Sequence, residues 1–177
     1  MESEDMFQTH TLALLPRISH CCPYVELEQS LPSELTAISP FADQLMVFIR
    51  KFWEADGSEV DIEIALREAL ANAVVHGNHE NPNRRVHVTC RCSTEGEVSI
   101  TVSDEGRGFD NRAVPDPTAP GNVEFTHGRG LYLMQMLMDE VCFERNGAVV
   151  HMRKKSAKVS PAKERRCDEE TLASLAH

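Results

Sequence analysis

The chain is short of positive charge. Against 28 Asp and Glu it carries 18 Lys and Arg, for a formal net charge of −10 over 177 residues. That balance argues against general binding to a nucleic-acid backbone. Arg153 to Arg166 forms a local basic stretch all the same, and a protein is the expected macromolecular partner. No apolar run is long enough to span a bilayer. The start, Met1-Glu-Ser-Glu-Asp-Met, is acidic and has no basic region followed by an apolar one, so no secretory signal is read and a cytosolic location is the default expectation. Neither a Gly-x-x-x-x-Gly-Lys-Ser/Thr loop nor a His-Arg-Asp set is present, which excludes a P-loop enzyme and the eukaryotic-type protein-kinase fold. The 6 cysteines are Cys21, Cys22, Cys90, Cys92, Cys142 and Cys167. Cys90-Arg-Cys92 has no second pair at zinc-type spacing, and His20-Cys21-Cys22 is too local for a tetrahedral site. Reduced, mostly buried thiols are expected.

What remains is an ordinary globular composition, 41% hydrophobic and 26% charged, in a chain long enough for one domain with a sizeable core. No internal repeat is visible. Residues 1–22 resist assignment beyond a possible edge strand over Gln8 to Leu15. Tyr24 to Ser30 alternates as a half-buried strand. Leu31-Pro-Ser-Glu34 reads as a helix start capped by Ser33. Phe41, Leu45, Phe48, Ile49 and Phe52 mark a helix over Pro40 to Trp53. Val86 to Cys92 and Val98 to Ser103 alternate about the turn Thr94 to Glu97. Residues 105–127 form a long loop, of the kind that is functional or disordered in a compact domain. Gly128 to Asp139 reads as a helix. Glu140 to Glu144 and Ala148 to Arg153 pair about Arg145-Asn146-Gly147. Residues 155–177 read as a charged, solvated tail, with a short helix near Thr171 to Ala176. Hairpins dominate this order. The expected fold is an α+β two-layer sandwich, with a mixed, mostly antiparallel sheet and helices on one face.

The stretch around which the chain is organised runs from Glu68 to Asn78, inside an expected helix from Val60 to His79. Apolar residues cover nearly its whole circumference, so the helix should be largely buried. Yet Glu68, Asn72 and His76 recur at i, i+4 and i+8 and share one stripe. A buried carboxylate, amide and imidazole need partners. They form either a self-satisfied polar network or a site, and three in register ending at Gly77 favour the site. A carboxylate and an amide oxygen one turn apart are hard donors suited to Mg²⁺ and its waters.

Two further signals are weak singly. Asp104-Glu-Gly106-Arg-Gly108-Phe-Asp110 leaves a strand; its glycines allow a sharp turn and close approach of a ligand, and a buried Asp there can accept a hydrogen bond from an exocyclic amine such as that of adenine. Gly128-Arg129-Gly130-Leu131 opens a helix, where unpaired N–H groups suit phosphate oxygens.

In this order the three signals resemble the N, G1 and G2 boxes of the GHKL ATPase superfamily, with its Bergerat ATP-binding fold, over about Val25 to Met152. The compact size, Asp116-Pro-Thr in the long loop, and the run from Gly128-Arg-Gly-Leu131 to Met138-Asp-Glu-Val141 are similar to the bacterial anti-sigma-factor serine kinases. The resemblance implies a histidine-kinase-like ATP-binding domain over 23–154, between an N-terminal extension (1–22) and the tail (155–177). It implies ATP and Mg²⁺, with Asn72 on the metal and Asp104 on the adenine amine. Gly106 and Gly108 would shape the pocket, Gly128, Arg129, Gly130 and Leu131 would lie at the nucleotide, and Glu68 would be the catalytic base. His76 matches the motif position without a clear role. The implied activity is transfer of phosphate from ATP to a serine of an anti-sigma-factor antagonist, by a homodimer that also sequesters a sigma factor, with no direct contact to nucleic acid or membrane. One departure is plain. Some members of that group carry an arginine just ahead of the second glycine box, where this chain has Thr126-His127, and Arg129 or Arg107 are the possible substitutes. The alternative is an ATP-binding interaction module that sequesters a partner without phosphoryl transfer.

Overall fold

The computed structural model describes residues 24–53, 57–107 and 129–157. Five strands, β1 (Tyr24–Pro32), β2 (Arg85–Ser93), β3 (Glu97–Asp104), β4 (Glu140–Glu144) and β5 (Val149–Lys155), form one sheet in the order β1-β2-β3-β5-β4. Three helices, α1 (Leu35–Phe52), α2 (Glu59–Asn72) and α3 (Arg129–Leu137), accompany it. The two-layer α+β expectation is met with one correction. All four strand pairings are antiparallel, so among the described residues the sheet is not mixed.

Period-two alternation decides which face is covered. Val86, Val88, Cys90 and Cys92 of β2 and Val98, Ile100 and Val102 of β3 are all buried. Their register places Val88 beside Val102, Cys90 beside Ile100 and Cys92 beside Val98, so the apolar sets share one face. Met152 of β5 sits opposite Ile100 and extends that face. Phe41, Leu45 and Ile49 of α1 and Ile62, Leu66 and Leu70 of α2 complete the core. The alternate face carries His87, Arg91, Thr101, His151 and Arg153. The lone tryptophan, Trp53, is buried and donates from Nε1 to the carbonyl of Gly96 at 2.8 Å, pinning the end of α1 to the β2–β3 turn.

Four expectations need correction. Leu31-Pro32 does not begin a helix, because β1 runs through Pro32, paired with Arg85. Ser33 does not cap: the residue before α1 is the extended Glu34, with no side-chain cap, and Ser33 is fully buried with its hydroxyl unpartnered among the described residues. The helix does not wait for Pro40 but starts at Leu35 and carries Pro40 inside it. Burial of Ile38 together with Phe41 and Ala42 outweighs the hydrogen bond that Pro40 cannot donate. Last, α2 is not buried all round: Val60 is 62% and Ile64 39% exposed, because only the sides facing α1, α3 and the sheet are covered. The three residues of the β4–β5 turn, Arg145, Asn146 and Gly147, all take positive φ (50°, 55° and 81°), matching the Asn-Gly signal.

The ends of the helices are tied by Lys154, whose side chain is only 15% exposed. It donates to the carbonyl of Leu137 at 2.6 Å and lies 3.3 Å from Asp61. A cation at the carbonyl end of α3, shared with an acid in the first turn of α2, fixes how α3 crosses α2. The expected strand over Gln8 to Leu15, the tail helix near Thr171 and most of the long loop lie outside the described residues.

Pro40 is exposed, so Pro40→Ala restores a helical hydrogen bond without disturbing the core. It should raise stability by roughly 1–2 kcal/mol, the interior-proline penalty less the unfolded-state entropy that proline removes. Urea unfolding followed by Trp53 fluorescence checks this; an earlier midpoint would mean that Pro40 makes a stabilising contact.

Candidate functional site

The last turns of α2 build one wall of the site. Glu68 and Asn72 are half-buried and one turn apart, with the small Ala69 and Ala73 beside them leaving room above. Into that room comes the first turn of α3. A Cβ placed on Gly130 would lie 2.7 Å from Oε2 of Glu68 and 3.4 Å from Nδ2 of Asn72. Glycine here leaves the Glu68 carboxylate undisplaced beneath the helix start and brings the free N–H end of α3 onto the two polar side chains.

After Asn72 the helix changes pitch. Residues Ala73–Gly77 form a π-helical turn, closed by the amide of Asn78 on the carbonyl of Ala73 at 2.8 Å. Such single π-turns insert one residue into a helix and cluster at functional sites. The widened turn takes His76 off the stripe of Glu68 and Asn72, and its side chain is exposed. It also carries Gly77 against Asp104. A Cβ on Gly77 would collide with the whole Asp104 carboxyl group, 2.6 Å from Oδ1. A Cβ on Gly106 would strike the carbonyl of Gly77 and come within 2.8 Å of the same Oδ1. The three residues pack backbone against carboxylate.

Asp104 ends β3 at 5% exposure. Its amide donates to the carbonyl of Ala148 at 3.0 Å, and its Oδ1 accepts from the amide of Gly106 at 2.8 Å. Burial pushes its pKa above the ordinary value of 3.8, opposed by the Gly106 hydrogen bond and by the charges of Arg145, Arg84 and His79. Asn72 and Asp104 line the same narrow cleft. The rest of its lining is apolar or small: Ala69 and Ala73 of the α2 end, Leu131 and Met134 of α3, Val102 of β3, Phe143 of β4, Gly147 and Val150. An apolar slot with one carboxylate deep in it and one amide at its edge suits a flat heteroaromatic ring bearing a polar substituent.

The structure therefore brings Glu68, Asn72 and Gly130 together, and lines one cleft with Asn72, Leu131 and Asp104, on which Gly106 packs. Gly108 and Gly128 lie outside the described residues; the backbone of Arg129 opens α3, and its side chain lies outside the description. Arg107 is exposed. Sequence reading missed Phe143, Gly147 and Val150, because the adjacency of β5 to β3 has no local signature. It noted Gly77 only as a terminator; the tight glycine-to-Asp104 contact depends on a π-turn that no spacing rule announces. Cys90 and Cys92 are buried on one face as read, with the Cys90 thiol pushed up by its hydrogen bond to Cys92 and by burial, whereas Cys142 is exposed.

Comparison with known proteins gives one family model, described as a histidine kinase-like ATPase domain, matching residues 31–154. The chain is similar to the serine-protein kinase RsbW of Staphylococcus epidermidis, 32% identical over 134 residues, or 71% of this chain and 84% of that protein. It is similar also to the anti-sigma F factor of Heyndrickxia coagulans, 32% identical over 97 residues, covering 52% of this chain and 66% of that protein. RsbW of Staphylococcus aureus (strain JH9) is 34% identical over 101 residues, 53% of this chain and 64% of that one.

Burial of Asp104 sets a pH test. Its folded pKa is raised, so the fold loses stability as pH rises through that pKa and the penalty is fully present above it. Asp104→Asn, which keeps the acceptor for the Gly106 amide, should melt higher than wild type at pH 8, with the advantage shrinking towards pH 4. Melting curves across that range check it, and a difference constant with pH would contradict it.

Proposed function

The chain belongs to the histidine kinase-like ATPase domain family, and on that premise we propose that it is an ATP-dependent protein serine kinase that also acts as an anti-sigma factor. Its substrate would be a serine of an anti-sigma-factor antagonist, and its second partner a sigma factor. It would act as a homodimer in the cytosol; among the described residues no helix is long and apolar enough to cross a membrane. The observation that carries this reading is the convergence of Glu68 and Asn72 on the glycine start of α3, beside a cleft lined by both Asn72 and Asp104.

The residues fit a nucleotide and its metal. Among the described residues the amide nitrogen of Asn72 is buried without a hydrogen-bond partner, a costly state unless a ligand meets that amide. The two ends of an Asn amide are interchangeable by rotation, so Asn72 can turn its oxygen, a hard donor, into the cleft. Mg²⁺ is typically held by one or two such side-chain oxygens plus substrate phosphates, and when bound it supplies neutralisation of phosphate charge. The amides at the start of α3 would take phosphate oxygens, and Asp104 would accept a hydrogen bond from the adenine amine. The apolar walls from Leu131 and Met134 would exclude water from the base. Glu68 lies under the helix start, where a serine hydroxyl would approach, and would take its proton as general base. Alignment of these groups is most of what phosphoryl transfer asks of a protein.

The second reading is an ATP-binding module that sequesters a partner without transferring phosphate. It is favoured by Thr126-His127 standing where some relatives carry an arginine. Two variants separate the readings. Asn72→Ala should weaken Mg²⁺-dependent ATP binding at least tenfold by calorimetry, and equal affinity would remove Asn72 from the site. Glu68→Gln should keep ATP affinity within a few-fold while transfer to a serine-bearing antagonist falls by about a hundredfold or more. Wild type that binds ATP and labels no serine would favour the sequestering module.

A further inference from the structure

Directly after the π-turn stands Asn78, with none of its surface exposed. All of its polar functions are engaged. Its amide closes the π-turn on Ala73, and its carbonyl accepts from the Asn81 amide at 3.3 Å. Its side-chain Nδ2 donates to the carbonyl of Arg85 at 2.9 Å, where β2 begins. Its Oδ1 accepts from the amide of Glu105 at 3.0 Å, where β3 has ended. One carboxamide thus joins three chain segments, and the amide it holds lies between Asp104 and Gly106. The chain then leaves through His79 and Glu80, both at positive φ (57° and 50°). Two consecutive non-glycine residues in that region persist only where their surroundings over-determine them.

We propose that Asn78 is a positioning residue for base recognition, holding the Asp104–Gly106 turn at a fixed distance from the Asn72 end of α2. The inference rests on the nucleotide-binding reading above and deepens it. The chemistry demands this residue type: a single planar group must donate in one direction and accept in another, which aspartate and aliphatic side chains of similar size cannot do. Other anchors on the turn are weaker. The Glu105 carboxylate also reaches the Arg85 amide at 3.1 Å and His87 at 3.3 Å, but both contacts are exposed and compete with water, whereas those of Asn78 are shielded. The Gly106 amide on Asp104 is internal to the turn and does not tie it to the helix. Without Asn78 the carboxylate keeps its hydrogen bond and its packing on Gly77 but loses the polar link that fixes the turn against the end of α2.

The test is discrimination between ATP and inosine triphosphate, which has an oxo group where adenine has its amine. A site whose buried acceptor is fixed rejects the analogue that cannot donate to it. Calorimetry with Mg²⁺ on the intact chain should give wild type a clear preference for ATP. In Asn78→Ala that preference should fall at least tenfold, mainly through weaker ATP binding. A role in stability alone would weaken both nucleotides alike and leave the ratio unchanged. Asn78→Asp serves if the alanine variant does not fold: it keeps the volume and the acceptor for Glu105 but loses the donor to Arg85, and its preference should also fall. A wild type that prefers ATP, with variants whose ratio stays within twofold of it, would overturn the positioning role alone. A wild type that binds neither nucleotide would overturn the nucleotide reading and this inference with it.

Discussion

The constraint on which the site depends is a contact with no room in it. Gly77 at the end of a helix, Gly106 beyond the end of a strand and the Asp104 carboxylate between them lie so close that a methyl group on either glycine would overlap its neighbours. A buried carboxylate is expensive to hold charged. Here it is held by one backbone amide and by packing, with cationic groups at a distance softening the penalty. Everything upstream serves that contact. The core face of α2 docks the helix on the sheet, the π-turn advances its end, and antiparallel pairing of β3 with both β2 and β5 fixes where Asp104 emerges.

Much of this was legible in the sequence, for a physical reason. Period-two alternation in β2 and β3 reports directly on which face is covered, so the strands, their hairpin and the one-sided helical layer follow from Val86 to Ser103 alone. The Asn-Gly of the last hairpin specifies positive φ, and the structure adopts it. Where reading went astray, tertiary packing overrode a local rule. Pro40 and Ser33 carry strong boundary signals, yet the strand continues past one expected helix start and the helix absorbs the proline, because buried apolar residues lie on both sides.

Of the site, residue types were legible and geometry was not. Glu68 and Asn72 stand out as polar residues on an apolar helix, and Asp104 and Gly106 as a glycine turn at a strand exit. That Gly130 seats α3 directly on Glu68 and Asn72 is a three-dimensional fact with no spacing signature. The same spacing that placed His76 with Glu68 and Asn72 assumed an uninterrupted α-helix, and one inserted residue undid it. The places of Asn78, Phe143 and Gly147 at the site escaped notice because their partners are remote in sequence and their types are unremarkable in loops and strands.

The strand order carries a consequence for assembly. Two hairpins, β2–β3 and β4–β5, are local and can form early, whereas β3 and β5 meet only after the whole α3 segment has folded back between them. Non-local pairing of this kind is the slow part of folding, since chain entropy is lost before contacts repay it. The cleft lies on that seam: Asp104 and Val102 come from one side, Phe143 and Val150 from the other. Any ligand filling it therefore bridges a non-local junction of the sheet. Occupancy would act as a latch on the two halves of the sheet, coupling the lifetime of the folded chain to how full its cleft is.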